Sequence, residues 1–523
     1  MQNSYKFSFE DIEDHLKKRF EKNGGFLNLA NLPFPNTFKD MNKACKRIVS
    51  AIYNKEKIII VGDYDVDGVI STYILVDFFN SIGFNISSFI PNRFKHGYGI
   101  SLEITDFVNG YDLIISVDNG ITAIPFALWC KENGIDLIIT DHHTPKETLP
   151  DAYAIINPKQ KDCNFLYPDI CGAFVTWYMI SALKQELKTD TDLKSYLPYV
   201  AIATIADVMP LVHINRAVVI AGLKELNRSI NPAFTALKDH LKITEFKSTT
   251  VSFWVAPLLN SAGRMDDASL ALKFLQSNSS IEAAQNLLSL INTNELRKIT
   301  QNEICLEADK KLLNKEDNVL IFVGENWHEG VLGIVASTMA KRYKKPSIAF
   351  TYTHDGILKG SGRSINGFNL FEAINLKSHF LEKFGGHTMA IGLTLKNENL
   401  VDFIRSLQDI KINENFDENS SYFRIDFETI NFDLYNLLEK YEPFGEANPK
   451  PVFECNDVKI LSSNFIGKNS EHKKYLFSKG NTVLEAVHFN PIKPIEVGNE
   501  SKIRFSLEKN CFKNQEKLQL III

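Results

Sequence analysis

The 523-residue sequence lacks any apolar run approaching the roughly 20 residues a membrane-spanning helix needs. Its apolar stretches, such as Lys57 to Val61 around Ile58-Ile59-Ile60, are far shorter, so no membrane segment is expected. It also lacks an apolar stretch with a small-residue cleavage site after Met1-Gln2-Asn3-Ser4-Tyr5-Lys6, which argues against secretion and places the chain in the cytoplasm. Its seven cysteines (Cys45, Cys130, Cys163, Cys171, Cys305, Cys455, Cys511) show no CxxC spacing, which excludes a zinc ribbon or a disulfide framework and leaves buried thiols. A positive net charge is missing too: at −5, the chain cannot rest affinity for nucleic acid on global charge, and any such contact must come from local basic grooves. Internal repeats and low-complexity tracts are absent. With 44% hydrophobic and 23% charged residues the composition is that of a soluble globular protein, and the length calls for about three or four domains.

What is present is organised. The first fifty residues read as a helical leader with turns at Asn23-Gly24-Gly25 and Leu32-Pro33-Phe34-Pro35. From Lys57, short β-branched runs alternate with amphipathic stretches: Ile58 to Val61 then Ser71 to Phe79, Leu113 to Val117 then Ala123 to Cys130, and Leu137 to Thr140. This alternation predicts βαβ units in an α/β, doubly wound, mostly parallel sheet. Residues from about Ile281 to Leu313 keep helical spacing without Pro or Gly and predict one long connector helix. A second α/β region opens at Asn318-Val319-Leu320 and runs to about Leu395, with glycine-rich turns expected at Lys359 to Gly362 and at Gly385-Gly386-His387. The segment Val452 to Ile523 alternates as a small antiparallel barrel would. The expected divisions are 1–52, 53–230, 231–315, 316–400 and 401–523.

The chemistry concentrates at Gly62-Asp63-Tyr64-Asp65-Val66-Asp67-Gly68, between an apolar strand and a helix. Three acids in one turn repel one another unless a cation or a proton relieves them, and the carboxyl end of a parallel strand is where doubly wound folds place their sites. The pattern recurs at Val117-Asp118-Asn119-Gly120 and at Thr140-Asp141-His142-His143. Asp207, inside the apolar run Ala203 to Met209, is costly to bury without a cation. Carboxylates and imidazole from four strand ends can gather around two divalent ions, Mg²⁺ or Mn²⁺, about 3.5–4 Å apart, as in phosphoester hydrolysis.

The order Asp-x-Asp, strand-end Asp, Asp-His-His and a later Asp resembles the four motifs of the DHH phosphoesterase superfamily. Within it, VGDYDVDG, SVDNGI, TDHHTP, AIINPK, TIADVMPL, LLNSAGRMDDA, WHEGVLGIVAS, LKGSGRSINGFNL, KFGGHTMAIGL and PFGEANPKPVF together resemble the bacterial RecJ exonucleases from about residue 57 to residue 453. The resemblance implies a DHH domain, a DHHA1 domain across a cleft and an OB-fold after it. It implies metal ligands Asp65, Asp67, Asp118, His142 and Asp207, with Asp118 bridging and Asp63 and Asp141 in support. His143 and Arg264 would face the scissile phosphate, while Arg93, Ser361, Arg363, Gly386 and His387 would hold the DNA end, guanidinium forks and open glycine N–H groups being good phosphate receivers. In the barrel, Lys468, Lys473, Lys474, Tyr475 and Phe477 would hold single strands by charge and stacking. The implied partner is single-stranded DNA, with a single-strand-binding protein and a helicase beside it, and the enzyme would be a monomer acting 5′→3′ in DNA repair and recombination.

Two rivals stand beside this reading. A small DHH phosphoesterase acting on short RNA or cyclic dinucleotides would share the metal site but not the length or the barrel. A noncatalytic single-strand-binding protein predicts an eroded site, whereas all five expected ligands are present. Val61, four residues before Asp65, occupies the position where family II pyrophosphatases carry a metal-binding His, which weakens a pyrophosphatase reading. Because the sequence stops at Leu520-Ile521-Ile522-Ile523, in a barrel strand, no further C-terminal domain is expected.

Overall fold

A computed structural model describes residues 6–97, 99–312, 315–353, 356–365, 367–410, 422–467, 470–491, 494–495, 500–512 and 515–523. Helix α1 (Phe9–Lys22) is closed by a Ser8/Asp11 capping box, and α2 (Met41–Asn54) follows. The two helices go to different cores. Ile12, Leu16 and Phe20 of α1 pack into the C-terminal barrel, whereas Met41, Ala44, Cys45 and Ile48 of α2 cover the first sheet.

That sheet contains β1 (Ile58–Val61), β2 (Ser87–Phe89), β3 (Leu113–Val117), β4 (Asp136–Thr140) and β5 (Ala154–Ile156), all parallel, in the order β2-β1-β3-β4-β5. Alternate residues serve opposite faces, as the pleat requires. Ile58, Ile60, Leu113, Ile115 and Ile138 join one apolar cluster, and Ile59, Val61, Ile114, Leu137 and Ile139 the other. Burial on both faces explains why these strands read as unbroken β-branched runs. Helix α3 (Val66–Ser81) leaves β1 and is capped by Asp65, whose carboxylate accepts from Gly68 N–H at 3.1 Å. Gly68 has no substitute there: a Cβ would lie 2.5 Å from the Asp63 carbonyl oxygen. Helices α4 (Ile124–Glu132), α5 (Gly172–Leu187) and α6 (Leu197–Ala206) complete the layers.

After a π-helical turn over Val251–Val255 comes α7 (Ala256–Met265), and then the connector α8 (Ser280–Lys311), about 48 Å long at 1.5 Å per residue. Its N-terminal part packs on α7 and its C-terminal part on α9 (Leu332–Tyr343), so one helix ties the two lobes. Of the helix expected over 281–313, residue 313 lies outside the described residues.

The second sheet has the order β6-β7-β8-β10-β9: β6 (Leu320–Gly324), β7 (Ser347–Tyr352), β8 (Ile357–Arg363), β9 (Leu381–His387) and β10 (Ala390–Lys396), parallel only between β6 and β7. The glycine-rich segments expected as turns are strands instead. Gly362 and Gly386 both lie opposite Ile391 on the strand between them. A Cβ at 386 would come 2.2 Å from the Ala390 carbonyl oxygen, so glycine here marks close approach of strands, not a bend.

The third sheet holds β11 (Tyr422–Arg424), β12 (Val452–Ile466), β13 (His472–Lys479), β14 (Thr482–His488), β15 (Glu500–Phe512) and β16 (Gln515–Ile522). Strand β12 pairs with both β13 and β15, which closes the ring. The barrel is not wholly antiparallel as expected, since β14 runs parallel to β16.

Candidate metal centre

Asp63, Asp65 and Asp67 follow β1, Asp118 follows β3, and Asp141, His142 and His143 follow β4 at one carboxyl edge of the parallel sheet. Asp207 reaches the same place by another route: it is the C-cap of α6, not the end of a fourth strand. An apolar run of that length is ambiguous between strand and helix, and here Leu197-Pro198 begins a helix.

The side chains converge. His142 Nε2 lies 3.2 Å from Asp118 Oδ1, 3.5 Å from Asp207 Oδ2 and 3.6 Å from Asp67 Oδ2. Two triads, Asp67–His142–Asp207 and Asp63–Asp65–Asp118, each bring one ligand atom per residue within 4.8 Å of one another; Asp118, His142 and His143 form a third such group. Asp63, expected only in support, thus shares a possible ligand group with Asp65 and Asp118.

The electrostatics of this cluster are those of a site built for cations. Burial, reinforced by neighbouring carboxylates, lifts Asp63 to about 7 and Asp67 to about 6, and raises Asp118 and Asp207 well above the ordinary range. Asp67 rises despite accepting from the Gly172 and Ala173 N–H groups at the α5 N-terminus, at 2.6 and 2.8 Å. Asp118 Oδ1 and Asp207 Oδ2 are buried with no hydrogen-bond partner among the described residues. Burial pushes His142 down to about 3, so its imidazole is neutral and able to ligate.

Asp141 does something else. One oxygen accepts from Ile121 N–H at 2.9 Å, and the other meets His142 N–H, His143 N–H and His143 Nδ1 at 2.7, 3.0 and 2.8 Å. Burial pushes Asp141 up, but the His143 hydrogen bond and charge prevail and hold it at about 2. Asp141 reciprocally lifts His143 to about 9 against its own burial. His143 is thereby an imidazolium at neutral pH.

Beside the acids lie three guanidinium groups. Arg93 stands over the Tyr64 ring at 5.0 Å, Arg264 is on α7, and Arg363 ends β8. Arg363 donates to Ser361 Oγ at 3.1 Å and to the Gly362 carbonyl at 2.8 Å. Gly333, in the first turn of α9, is so close that a Cβ would lie 2.7 Å from Arg363 Nη2. Burial and the other two arginines lower Arg264 to about 10. Among the described residues no carboxylate pairs with any of the three, and the arrangement suits an anion. Gly386 and His387 lie exposed at the end of β9, and His387 feels the charges of His143 and Lys159.

A cavity of about 280 Å³ between Arg264, Asn260 and Ala206 shares Ile205, Val208 and Ser252 with one of about 910 Å³ that extends to the barrel. Val208, Phe253, Trp254 and Phe489 are exposed there. Sequence reasoning missed them. The adjacent aromatics Phe253-Trp254 carried no signal of exposure by themselves, since Phe78-Phe79 of α3 are both fully buried. Conversely, Tyr475 and Phe477, expected to stack on bases, are 1% and 0% exposed. They fill the barrel because they alternate inward along β13. Lys474 pairs with Glu485, Lys473 stands over the Phe465 ring, and Lys468 lies outside the described residues.

A parallel sheet whose edge gathers acids and histidine opposite a second α/β lobe defines the DHH-type phosphoesterase architecture. Residues 57–204 match the DHH family N-terminal domain, 316–413 the DHHA1 domain and 423–523 the RecJ OB domain. The chain is 32% identical to the single-stranded-DNA-specific exonuclease RecJ of Haemophilus influenzae, over 94% of this chain and 92% of that one. It therefore belongs to the RecJ family. Its fold is that of RecJ from Thermus thermophilus in complex with Mn²⁺ (TM-score 0.77, 24% identity, 93% of this chain and 71% of that one). A crystal structure of exonuclease RecJ bound to manganese is 29% identical with a TM-score of 0.63, covering 71% of this chain and 94% of that one.

Proposed function

We propose that this chain is a 5′→3′ exonuclease that hydrolyses single-stranded DNA to 5′ mononucleotides with two divalent ions, Mn²⁺ or Mg²⁺. The observation that carries the reading is the pair of triads meeting at the His142–Asp118 contact, with buried, unpartnered oxygens on Asp118 and Asp207. Asp67, His142 and Asp207 would hold one ion and Asp65 and Asp118 the other, with Asp118 shared and Asp63 within reach of the second. Bound there, the ions supply Lewis acidity for attack of water on phosphorus and offset the charge that develops on its oxygens.

The chain's own groups do the rest. Asp141 keeps His143 protonated and oriented, so that its N–H is directed at a phosphate oxygen. Arg93 and Arg363, with Ser361 and the α9 N-terminus, receive the terminal 5′ phosphate, which carries more charge than an internal one; Arg264, expected at the scissile phosphate, is grouped with them in this reading because the charges of Arg93 and Arg363 bear on it. The P–O3′ bond of the terminal nucleotide breaks, and the groove past Val208, Phe253 and Trp254 leads the remaining strand toward the barrel by stacking. A single-strand-binding protein and a helicase as partners, a cytoplasmic location and a monomeric enzyme belong to the same reading and rest on the family resemblance.

The test is digestion of single-stranded DNA labelled at either end, with Mn²⁺, Mg²⁺ or chelator, beside matched RNA and duplex. Metal-dependent release of the 5′ label, with the 3′ label on a shortening ladder, is expected. Cleavage confined to short RNA or dinucleotides would leave the metal site standing and give the substrate to the rival phosphoesterase.

A further inference from the structure

Arg297, near the middle of the connector α8, is only 9% exposed. Among the described residues no carboxylate pairs with it. The Glu295 charge bears on it, but Glu295 itself pairs with Lys298 at 2.8 Å. Neutral groups orient the guanidinium instead: Nε and Nη2 donate to Asn294 Oδ1 at 3.2 and 2.8 Å, and Nη1 donates to Gln301 Oε1 at 2.9 Å. Gln301 in turn donates to Thr338 Oγ1 of α9 at 3.3 Å, which braces the ladder on the second lobe. Of the five guanidinium N–H groups, one on each Nη is left without a partner in this ladder. A ladder that only braced the connector could be built of amides alone. A buried cation held by amides is costly unless an anion joins it.

Arg297 also lines the cavity of about 280 Å³ beside the metal centre. Ala206 and Val208, on either side of Asp207, form one wall. Asn260 and Arg264 of α7 form another, and Asn260 Oδ1 accepts from the N–H of Val66, between Asp65 and Asp67, at 3.1 Å. Ile334 of α9 closes the cavity from the second lobe. Through Ile205, Val208 and Ser252 it adjoins the groove of about 910 Å³ that extends to the barrel. Arg297 therefore stands next to the acids on the side from which the strand arrives. Arg93 and Arg363 are not among the residues that line this cavity.

We infer that Arg297 receives a phosphodiester of the single strand, the second linkage from the 5′ end, next to the scissile linkage on its 3′ side. The inference rests on the exonuclease reading and extends it by one contact. With the terminal phosphate at Arg93 and Arg363 and the scissile phosphate at the ions, the next anion along the strand is the one this cavity meets. Two N–H groups of one guanidinium suit its two non-bridging oxygens. A backbone contact carries no base preference, and it fixes the register of the strand against the ions.

The experiment measures release of the first nucleotide, as kcat/KM, from a 5′-phosphorylated oligonucleotide and from the same strand carrying an uncharged methylphosphonate at the second linkage, or at the fifth as a control. Wild type, Arg297→Gln and Arg297→Lys are compared. Wild type should lose about 10- to 100-fold when the second linkage is uncharged, the worth of a charged hydrogen bond, and little at the fifth. Arg297→Gln, which keeps an amide for Asn294 and Gln301, should be slower on the unmodified strand by a similar factor and should no longer distinguish the two. Arg297→Lys should keep most of the distinction. A brace without contact to DNA would slow every substrate alike and leave the ratio intact. A wild type indifferent to charge at the second linkage, a result that depends on no variant, would overturn the assignment. So would a wild-type ratio retained in Arg297→Gln, or equal sensitivity at the fifth linkage. A wild type that releases no nucleotide from the unmodified strand would sink the exonuclease reading, and this inference with it.

Discussion

Gly172 is the smallest residue on which the metal centre depends, and Gly172→Ala tests the geometry with a single methyl group. A Cβ at 172 would lie 2.5 Å from Asp118 Oδ1, 2.7 Å from its Cβ and 2.8 Å from its Cγ, while Gly172 N–H donates to Asp67 Oδ2 at 2.6 Å. Two effects oppose each other. Replacing a helical glycine by alanine ordinarily gains about 0.5–1 kcal/mol, and forcing a methyl into a packed core costs about 1–3 kcal/mol. The clash wins, since its neighbours are a short side chain at a fixed backbone and not a flexible end, leaving a net loss of about 1–2 kcal/mol and a Tm lower by about 2–6 °C. The larger effect falls on activity. Moving Asp118 or the α5 N-terminus by about an ångström should cost about 100-fold in DNA cleavage together with Mn²⁺ affinity. Gly392→Ala is the control: no atom lies within 4 Å of its Cβ position. Melting curves, Mn²⁺ titration and end-labelled digestion of both variants decide the matter. Wild-type Mn²⁺ affinity and cleavage in Gly172→Ala would refute the claim that Asp118 and Asp67 are positioned through this contact.

Asp118→Asn should abolish cleavage while raising the Tm of the protein in chelator, because it removes one of several buried, mutually repelling carboxyls and keeps a residue that tolerates the backbone φ of 62°. A Tm in chelator at or below wild type would contradict the repulsion. Arg363→Ala should weaken the preference for a 5′ phosphate by about 10-fold, measured as the kcat/KM ratio of phosphorylated to hydroxyl ends; an unchanged ratio would make that guanidinium structural. The stabilisation conferred by Mn²⁺ should grow from pH 5 to pH 8. Asp63 and Asp67 are raised to about 7 and 6, so without metal their contribution is fully present below the unfolded value of about 4 and is lost as pH rises through 6 and 7. His142, depressed to about 3, works the other way, contributing above the unfolded value of about 6.5 and losing that contribution as pH falls through 3. Differential scanning of metal-loaded and chelated protein at each pH reads the difference, and a Mn²⁺ shift independent of pH would mean that the acids are ionised without the ion.

What is legible in the sequence and what is not divides by the range of the interaction. Strand β1 and the turn after it are written locally: the β-branched run Ile58 to Val61, ended by a turn, favours a buried strand over a helix, and three acids in five residues announce a charge problem at its end. The same holds for β3 with Asp118 and β4 with Asp141-His142-His143. Asp207 is identified by chemistry, an acid in an apolar run, while its secondary structure is not, because burial of a carboxylate states a need for a cation without saying which element delivers it. The glycines of β8 and β9 mislead for a related reason. A bend and a close approach both demand a missing side chain, and only the register against Ile391 separates them. Tyr475 and Phe477 show the limit most sharply, since period-two alternation reveals that one face of β13 is apolar but not whether that face meets bases or the barrel interior.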